Sequence, residues 1–313
     1  MQSRVVLPGM TTECLADEYG GRRINAVVAG PLTDIVPLAV DTQIAPVLAL
    51  CWGFDVMDEL HDDASVARTR RGLAGSAWVH VDCAYLERQV VELGAASDRI
   101  SVAPWGIDLD FFTPGAPCPD LRAERGWSDD EVVVLTTRAW ERLYGVDLVI
   151  AGFAAARRRD SRLRLALGGS GSLAPSIRRQ LSDLGLEQYV SELGTLDRVQ
   201  LRDWLRTSDL YVSAARSDGS SLSLLESLAC GVAPVVSDLA SNREWVISSE
   251  IGRLFGLDDL VHLTDVLSRA ATDLDALRAS AADRLAVVRA RGDWGRNKAV
   301  FLRAVAEVAE MGA

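Results

Sequence analysis

The 313-residue sequence has few of the side chains that hold metals or build disulfides. The five cysteines are odd in number and contain no CxxC pair: Cys14, Cys51, Cys83, Cys118 and Cys230. The three histidines are scattered: His61, His80 and His262. This scarcity argues against a disulfide framework, a zinc site and a histidine-based catalytic triad. We therefore expect no metal, and free thiols as in a reducing cytoplasm.

Basic residues are also scarce, because 33 Lys and Arg face 44 Asp and Glu and leave a formal net charge of -11. An acidic chain is a poor candidate for binding nucleic acid or an anionic membrane through bulk charge. Helix N-termini and a few arginines can still bind a small anion locally. We find no signal peptide and no apolar run long enough to span a bilayer, so we expect a cytoplasmic protein without a transmembrane segment.

Aromatic residues make up only 6% of the chain, whereas short runs rich in Val, Leu and Ala recur. Eight of these runs are predicted to be buried strands: 24–30, 45–51, 77–82, 100–104, 132–138, 163–169, 209–215 and 233–238. They lack clean alternation, which is typical of parallel strands covered on both faces. Helical patterns separate many of them, as at 145–159, 176–185 and 221–231. The sequence therefore predicts an α/β protein with Rossmann-like parallel sheets.

Four prolines within 104–120 indicate a linker between two domains. We expect an N-terminal domain at 1–112, a second domain at 113–290 and a C-terminal helix at 291–313 that packs back toward the first domain. The first domain offers only about four strands, fewer than a complete doubly wound domain needs. We therefore expect this domain to be shortened or incomplete.

The stretch 217–238, SDGSSLSLLESLACGVAPVVSD, predicts a turn, a helix and a strand that follow the strand at 209–215. Ser220 or Ser221 suits the N-cap, and Gly231 suits the left-handed position after the helix. The predicted apolar arc of the helix consists of Leu222, Leu225, Leu228 and Ala229. Glu226 lies at the edge of that arc and Asp218 in the turn. Taken alone, Glu226 also fits a solvated residue and Asp218 a turn cap.

This stretch resembles the donor-binding segment of the retaining GT-B glycosyltransferases of family 4. That family carries an acid, seven residues, a glutamate and then a glycine followed closely by Pro-Val-Val. The pair here is Asp218 and Glu226, with the shorter Asp in place of the usual first Glu. The segments 81–115, 136–154, 163–173 and 192–215 resemble further family segments in the same order.

The resemblance implies two Rossmann-like domains that face a cleft, and sugar transfer with retention from a nucleotide diphosphate sugar, such as a UDP- or GDP-sugar, without metal. It implies that Arg138 binds phosphate, although a surface arginine is the alternative. It also implies that Glu226 holds the ribose hydroxyls and Asp218 the donor sugar. The remaining residues implied for the donor are Gly169, Thr195, Gly219, Ser220, Ser221 and Leu222.

The sequence departs from the family pattern at two places. Tyr144 replaces the lysine usual before the glycine of the second loop, so Arg142 is our candidate for the second cation, with a solvated loop residue as the alternative. Trp52 stands where many relatives carry histidine, and Asp55 follows it as a candidate base or hydroxyl ligand, or else as a helix N-cap. Asp34 is a weaker acceptor-site candidate, with N-capping as its expected role.

The leading hypothesis is therefore a retaining glycosyltransferase with catalytic candidates Asp55, Arg138 and Asp218. Its acceptor would be a carbohydrate, a lipid-linked compound or a secondary metabolite. A non-catalytic homologue that binds nucleotide sugar or a partner subunit is the alternative, and the shortened first domain would then serve as the contact surface. A Rossmann oxidoreductase is disfavoured, because no GxGxxG follows an early strand.

Overall fold

The computed structural model describes residues 24–57 and 62–313, so Cys14 and His61 lie outside the described residues. The chain divides into two compact units. The first contains the residues up to Pro104 together with Arg296–Ala313, and the second is Trp105–Gly295. No helix within the described ranges is long and apolar enough to cross a membrane.

The first unit is built on a parallel sheet with helices. Its elements are β1 (Val27–Ala29), α1 (Ile35–Asp41), β2 (Val47–Leu50), α2 (Phe54–Met57), α3 (Asp63–Gly75), β3 (Trp78–Val81), α4 (Ala84–Glu92) and β4 (Ile100–Val102). The four described strands pair in the sequential order β1-β2-β3-β4. All of β2 is buried, as expected for a strand with neighbours on both sides and cover on both faces.

The last helix of the chain, α14 (Trp294–Met311), contributes most of its length to the first unit. Asn297 Nδ2 donates to the carbonyl oxygen of Pro104 at 2.9 Å. The Phe301 ring meets the His80 ring edge-on at 5.4 Å between centroids. Burial lowers the pKa of His80 to about 4, so this imidazole is neutral at neutral pH.

The second unit alternates strands and helices more regularly. Its first elements are α5 (Pro119–Ala123), β5 (Val132–Thr136), α6 (Val146–Arg159), β6 (Leu163–Gly168), α7 (Ala174–Asp183), β7 (Val190–Gly194) and α8 (Arg198–Thr207). Its later elements are β8 (Leu210–Ser213), α9 (Leu222–Ala229), β9 (Ala233–Ser237), α10 (Ala240–Arg243), β10 (Arg253–Phe255), α11 (Leu260–Thr272), α12 (Leu274–Ala279) and α13 (Ala281–Arg291).

The six strands of the second unit are parallel and pair in the order β10-β9-β8-β5-β6-β7. If β5 to β10 are renumbered 1 to 6, the order across the sheet from β7 to β10 is 3-2-1-4-5-6. This is the strand order of the doubly wound Rossmann sheet. Its strand order reverses between β5 and β8. Ligands of such sheets bind at the carboxyl ends of the strands beside this reversal.

Both faces of this sheet are covered. Along β5, Val132 and Val134 belong to the core shared with α6 and α11, whereas Val133 and Leu135 belong to the core shared with α8 and α9. Every residue of β5 is therefore buried. This explains why the strand appears in the sequence as a continuous apolar run without alternation.

All eight predicted strands are present, which confirms the predicted α/β class with two parallel-sheet units. Two short strands were not predicted, β7 at the sheet edge and the three-residue β10. Much of the proline-containing stretch at 104–120 packs within the second unit, because Ile107 and Phe112 are buried in its core.

Candidate active site

The candidate site lies at the carboxyl ends of β5, β6 and β8, which are neighbours in the sheet. Arg138 follows β5, Gly169 follows β6, and the turn that contains Asp218 follows β8. Parallel strands bring these three chain positions to one edge although they are far apart in sequence. Four of the predicted residues are therefore close together here: Arg138, Gly169, Asp218 and Ser221.

Arg138 is the central side chain of this edge. Its Nη2 forms an ion pair with Asp218 Oδ2 at 2.8 Å, and the two side chains are 10% and 20% exposed. Its Nη1 donates to Ser221 Oγ at 2.7 Å and to Ser223 Oγ at 2.9 Å. The guanidinium carbon lies 4.1 Å from the centre of the Tyr144 ring, a cation–π contact.

These partners keep the buried guanidinium charged. Burial alone would lower the pKa of Arg138, but the negative charge of Asp218 and the nearby Tyr211 and Tyr144 outweigh it and raise the pKa above its ordinary value. Tyr211 also donates its hydroxyl to Ser223 Oγ at 2.8 Å. A positive charge is therefore fixed in position at the end of β5, in an orientation set by several contacts.

Asp218 is placed differently from its predicted role. We predicted that it faces the hydroxyls of a donor sugar, whereas in the unliganded structure its carboxylate is paired with Arg138. Its backbone carbonyl accepts from Ser241 Oγ at 2.8 Å, which holds the turn against α10. Arg138 is therefore not the surface arginine of the alternative interpretation, and the Asp218 carboxylate pairs with a side chain rather than only capping its own turn.

The turn before α9 is tightly packed. Gly219, Ser220 and Ser221 are buried, and Trp245 Nε1 donates to Ser220 Oγ at 3.3 Å. Ser221 occupies the N-cap position as predicted, but its hydroxyl accepts from Arg138 and makes no capping bond to the helix. The backbone N–H groups of the first turn of α9 therefore have no side-chain cap. Such N–H groups can donate hydrogen bonds to a bound anion.

The predicted apolar arc of α9 needs one correction. Leu222 is 45% exposed, whereas Leu224 is buried with Leu225, Leu228 and Ala229. The physical reason is that Leu222 is the first residue of the helix and lies at the open edge of the sheet. Gly231 follows the helix with a φ of +82°, the left-handed conformation that the sequence predicted.

Glu226 is half-buried on α9. Burial raises the pKa of its carboxyl from 4.5 to about 7, although the positive charges of Arg198 and Arg138 oppose this shift. An acid with such a pKa near a candidate ligand site is a functional candidate rather than an ordinary surface glutamate. Ionising it costs stability in the unliganded protein, and this cost grows as the pH rises from the ordinary value toward the raised one.

Gly169 is at a position that admits no side chain. Its φ is +101°, and a Cβ there would lie 2.3 Å from the carbonyl oxygen of Arg138. Glycine therefore lets the chain after β6 approach the backbone of Arg138. Thr195 lies on the loop after β7, with its hydroxyl 3.2 Å from that of Ser170 and exposed to solvent.

Arg142 is exposed at the start of a short 3₁₀ turn. Its carbonyl oxygen accepts from the guanidinium of Arg216, but its own side chain has no hydrogen bond or ion pair with the residues that the structure describes. Tyr144, which replaces the family's lysine, stacks on Arg138 instead of supplying a second cation.

Asp55 needs a correction, because it is completely buried in the first unit. Its carboxylate accepts from the backbone N–H groups of Leu32 at 3.0 Å and Gly53 at 2.9 Å, and from that of Trp52 at 3.2 Å. Burial raises the pKa of Asp55, and these hydrogen bonds oppose the shift. This geometry ties two loops together and leaves the carboxylate no exposed surface in this conformation, so its role as a base stays a prediction that the structure does not support. Asp34 precedes α1 without a side-chain capping bond.

Sequence reasoning missed two side chains at this edge, Ser223 and Tyr211, and it gave Tyr144 no contact with Arg138. Ser223 could have been found from its position two residues after Ser221, since it interrupts a leucine-rich helix. It also missed Arg198, whose charge acts on Glu226. Arg198 pairs with Asp108 at 2.7 Å and lies 4.3 Å above the Phe111 ring.

We find no group of three or more His, Cys, Asp or Glu side chains that could hold a metal in residues 24–57 and 62–313. Positive charge at the candidate site comes from arginine. The described cysteines are free thiols: Cys51, Cys83, Cys118 and Cys230.

Two Rossmann-like parallel-sheet units are the architecture of the GT-B class, and Arg138 follows the central strand at the strand-order reversal of the second unit. The family model described as "Glycosyl transferases group 1" matches residues 119–278, about half of the chain, and the chain belongs to this family. The matched range contains Arg138, Asp218 and Glu226.

Curated relatives carry glycosyltransferase names. The chain is 33% identical over 225 residues to the D-inositol 3-phosphate glycosyltransferase of Paenarthrobacter aurescens, a match that covers 70% of this chain and 54% of the relative. It is 29% identical to the GDP-mannose-dependent alpha-(1-6)-phosphatidylinositol monomannoside mannosyltransferase of Mycolicibacterium smegmatis, over 81% of this chain and 67% of that protein. The chain spans about half the length of the D-inositol 3-phosphate glycosyltransferases it matches.

Solved structures share the fold. Anabaena Alr3699/HepE in complex with UDP superposes with a TM-score of 0.80 at 14% identity, covering 94% of this chain and 82% of that chain. The sucrose-phosphate synthase of Thermosynechococcus elongatus superposes with a TM-score of 0.77 at 18% identity, covering 96% of this chain and 77% of that chain.

Proposed function

We propose that this chain is a retaining glycosyltransferase of family 4 that moves a sugar from a nucleotide diphosphate sugar to a hydroxyl group of an acceptor, without a metal. The observation that supports this most is the arrangement of Arg138 beside the uncapped start of α9, with Glu226 one turn further along. Breaking the bond between sugar and diphosphate leaves negative charge on the departing phosphate. A fixed guanidinium and a helix N-terminus are groups that stabilise such charge.

In this proposal Arg138 exchanges partners when the donor binds. Its planar guanidinium would donate to phosphate oxygens in place of one or both of the serine hydroxyls, Ser221 and Ser223. The N–H groups of the turn from Gly219 to Leu222 would meet the other oxygens. Asp218 would keep Arg138 oriented while its remaining lone pairs face the donor sugar. Arg142, exposed and without a side-chain partner among the described residues, would supply a second positive charge.

Glu226 would accept hydrogen bonds from the vicinal hydroxyls of the ribose. Its half-buried position lowers the competition from water, and Arg198 favours its ionised form once the ligand is bound. The loops with Gly169 and Thr195 would line the pocket of the base, as the family resemblance implies. We assign no role in transfer to Asp55.

The relatives bear on the donor class. One is named as GDP-mannose-dependent, and a structural neighbour was solved with UDP. We therefore propose a UDP- or GDP-sugar as the donor. For the acceptor we propose a hydroxyl-bearing carbohydrate, lipid-linked compound or secondary metabolite.

A thermal-shift panel tests the donor class. UDP-, GDP-, dTDP- and ADP-sugars are added to the protein, and one nucleotide is expected to raise the melting temperature more than the others. At a concentration of about one hundred times Kd, binding stabilises the folded state by about 2.7 kcal/mol, which is a shift of several degrees. No shift with any of the four sugars would contradict the proposed function.

The alternative is a non-catalytic homologue that binds a nucleotide sugar or a partner subunit. It is motivated by the four sequentially ordered strands described in the first unit. The same panel followed by a donor-hydrolysis and transfer assay separates the two hypotheses. A melting shift without turnover favours the alternative, and steady transfer by the purified chain removes it.

A further inference from the structure

A second concave region lies at the opposite edge of the sheet in the second unit. It is a cavity of about 740 Å³, lined by residues that precede β8 and β9, such as Asp209 and Val232. The candidate donor site lies at the carboxyl ends of the same strands. The two regions are therefore separated by the length of the strands, and none of the donor-site residues lines this cavity.

The cavity is basic although the protein is acidic. Four arginines line it, Arg122, Arg206, Arg278 and Arg284, together with the carboxylates Asp129 and Asp209. The formal charge of these side chains is four positive and two negative, or +2. Four arginines around one cavity are a local concentration of positive side chains in a chain with a net charge of -11.

Internal contacts use only part of this positive charge. Asp209 accepts from Arg122 at 2.9 Å and from Arg278 at 2.6 Å, and Asp275, which does not line the cavity, also pairs with Arg278 at 3.7 Å. Arg284 is 1% exposed and donates to backbone carbonyl oxygens, those of Gly231 at 3.0 Å and Glu250 at 2.8 Å among them. Arg284 also donates to the carbonyl oxygen of Leu277, so all three of its guanidinium nitrogens are used internally, and the carboxylate of Asp283 acts on its charge.

Arg206 uses only one of its guanidinium nitrogens in a hydrogen bond within the described residues. Its Nε donates to the carbonyl oxygen of Thr113 at 2.9 Å, and this contact orients the guanidinium plane. Its two terminal amino groups have no hydrogen-bond partner among the residues that the structure describes. An oriented guanidinium with unused amino groups on a cavity wall is suited to a forked pair of bonds to an oxyanion.

We propose that this cavity is a second anion-binding site, which takes a small phosphorylated molecule through the unused amino groups of Arg206. Its volume exceeds that of a single phosphate and is typical of a small-molecule site. The walls next to the arginines include Trp127 and Leu205, which offer apolar contact to the rest of such a ligand. The proposal goes beyond the proposed sugar transfer and does not depend on it.

Equilibrium dialysis with radiolabelled pyrophosphate tests the proposal. Because the donor site also suits a diphosphate, the wild-type chain is expected to bind two equivalents. Arg206→Gln and Ala123→Glu are each expected to lose one equivalent, with Kd at the cavity weakened at least about tenfold. Ala123 lines the cavity and is exposed, so a glutamate there adds repulsion without removing a structural contact. Arg158→Gln, an exposed arginine on another helix, is the charge-matched control.

Pyrophosphate binding that is unchanged in both cavity variants would overturn the proposal, whether the wild-type chain binds one equivalent or two. A single equivalent that both cavity variants lose would support the cavity site and count against the donor site. Circular dichroism of each variant verifies that it is folded. If Arg206→Gln does not fold, the result for Ala123→Glu alone decides the proposal. Citrate serves as the competitor without phosphate. If it displaces pyrophosphate from the cavity at an equal or lower concentration, the assignment to phosphorylated ligands is wrong.

Discussion

Replacing Arg138 with glutamine is expected to abolish donor binding and to destabilise the second unit by about 3 kcal/mol. The loss of stability follows because Asp218, with only 20% of its side chain exposed, would be left without its positive partner. The loss of binding follows because the fixed cation of the candidate site is removed. Urea unfolding and calorimetric titration with a nucleotide sugar measure the two effects separately.

A double variant separates stability from binding. In Arg138→Gln/Asp218→Asn no uncompensated carboxylate remains, so much of the stability is expected to return while donor binding stays lost. Arg158→Gln is the surface control, with an expected change within about 0.5 kcal/mol. Donor affinity that recovers in the double variant would mean that Arg138 only balances Asp218 and does not meet the donor.

Replacing Gly169 with alanine is expected to cost about 3 kcal/mol or more of stability. The added Cβ would lie 2.3 Å from the carbonyl oxygen of Arg138, in a conformation with a φ of +101°. The chain segments that follow β5 and β6 would have to move apart to admit the methyl group. The measurement is the midpoint of urea unfolding of the second unit, with the donor titration repeated at a urea concentration where the variant is folded.

Gly185→Ala is the matched control for this prediction. Gly185 has a φ of +63° and no atom within 4 Å of an added Cβ, so its replacement carries only the cost of the backbone conformation. That cost is about 1 kcal/mol. Equal losses in the two variants would show that the approach of Gly169 to Arg138 is not a close contact in solution.

The strands were predictable because they carry a strong local signal. A central parallel strand such as β5 is apolar along its whole length, since both faces are covered. β7 gives no such signal, because it is a half-exposed edge strand that contains Ser191 and Glu192. β10 begins with Arg253 and lacks the longer apolar run that surrounds the equally short β1 and β4.

The candidate site was predictable in its position but not in its internal pairing. The spacing of Asp218 and Glu226 around a turn and a helix is a local pattern that resembles a known segment. The ion pair of Arg138 with Asp218 joins residues that are 80 positions apart, and no local pattern encodes it. A helical wheel likewise could not choose between Leu222 and Leu224, because leucines occur around most of α9.

Asp55 shows a second limit. An aspartate after a buried strand is equally consistent with a ligand site and with a structural carboxylate. In the structure Asp55 is buried among the backbone N–H groups of Leu32, Trp52 and Gly53, which is the geometry of a structural carboxylate. That outcome depends on a loop distant in sequence, at residues 30–34, which the motif around Asp55 does not contain.

The central claim is that Glu226 holds the donor through its ionised carboxylate, and the pH dependence of donor affinity tests this most directly. With a pKa of about 7, Glu226 is ionised in about a tenth of molecules at about pH 6 and in about nine tenths at about pH 8. The diphosphate diester of a nucleotide sugar does not titrate in this range. Affinity measured by calorimetry is therefore expected to rise about ninefold between these pH values in the wild-type chain. In Glu226→Gln, which keeps the shape without the charge, it should stay low and flat. A flat wild-type profile, or a glutamine variant that binds as tightly as the wild type at high pH, would contradict the account.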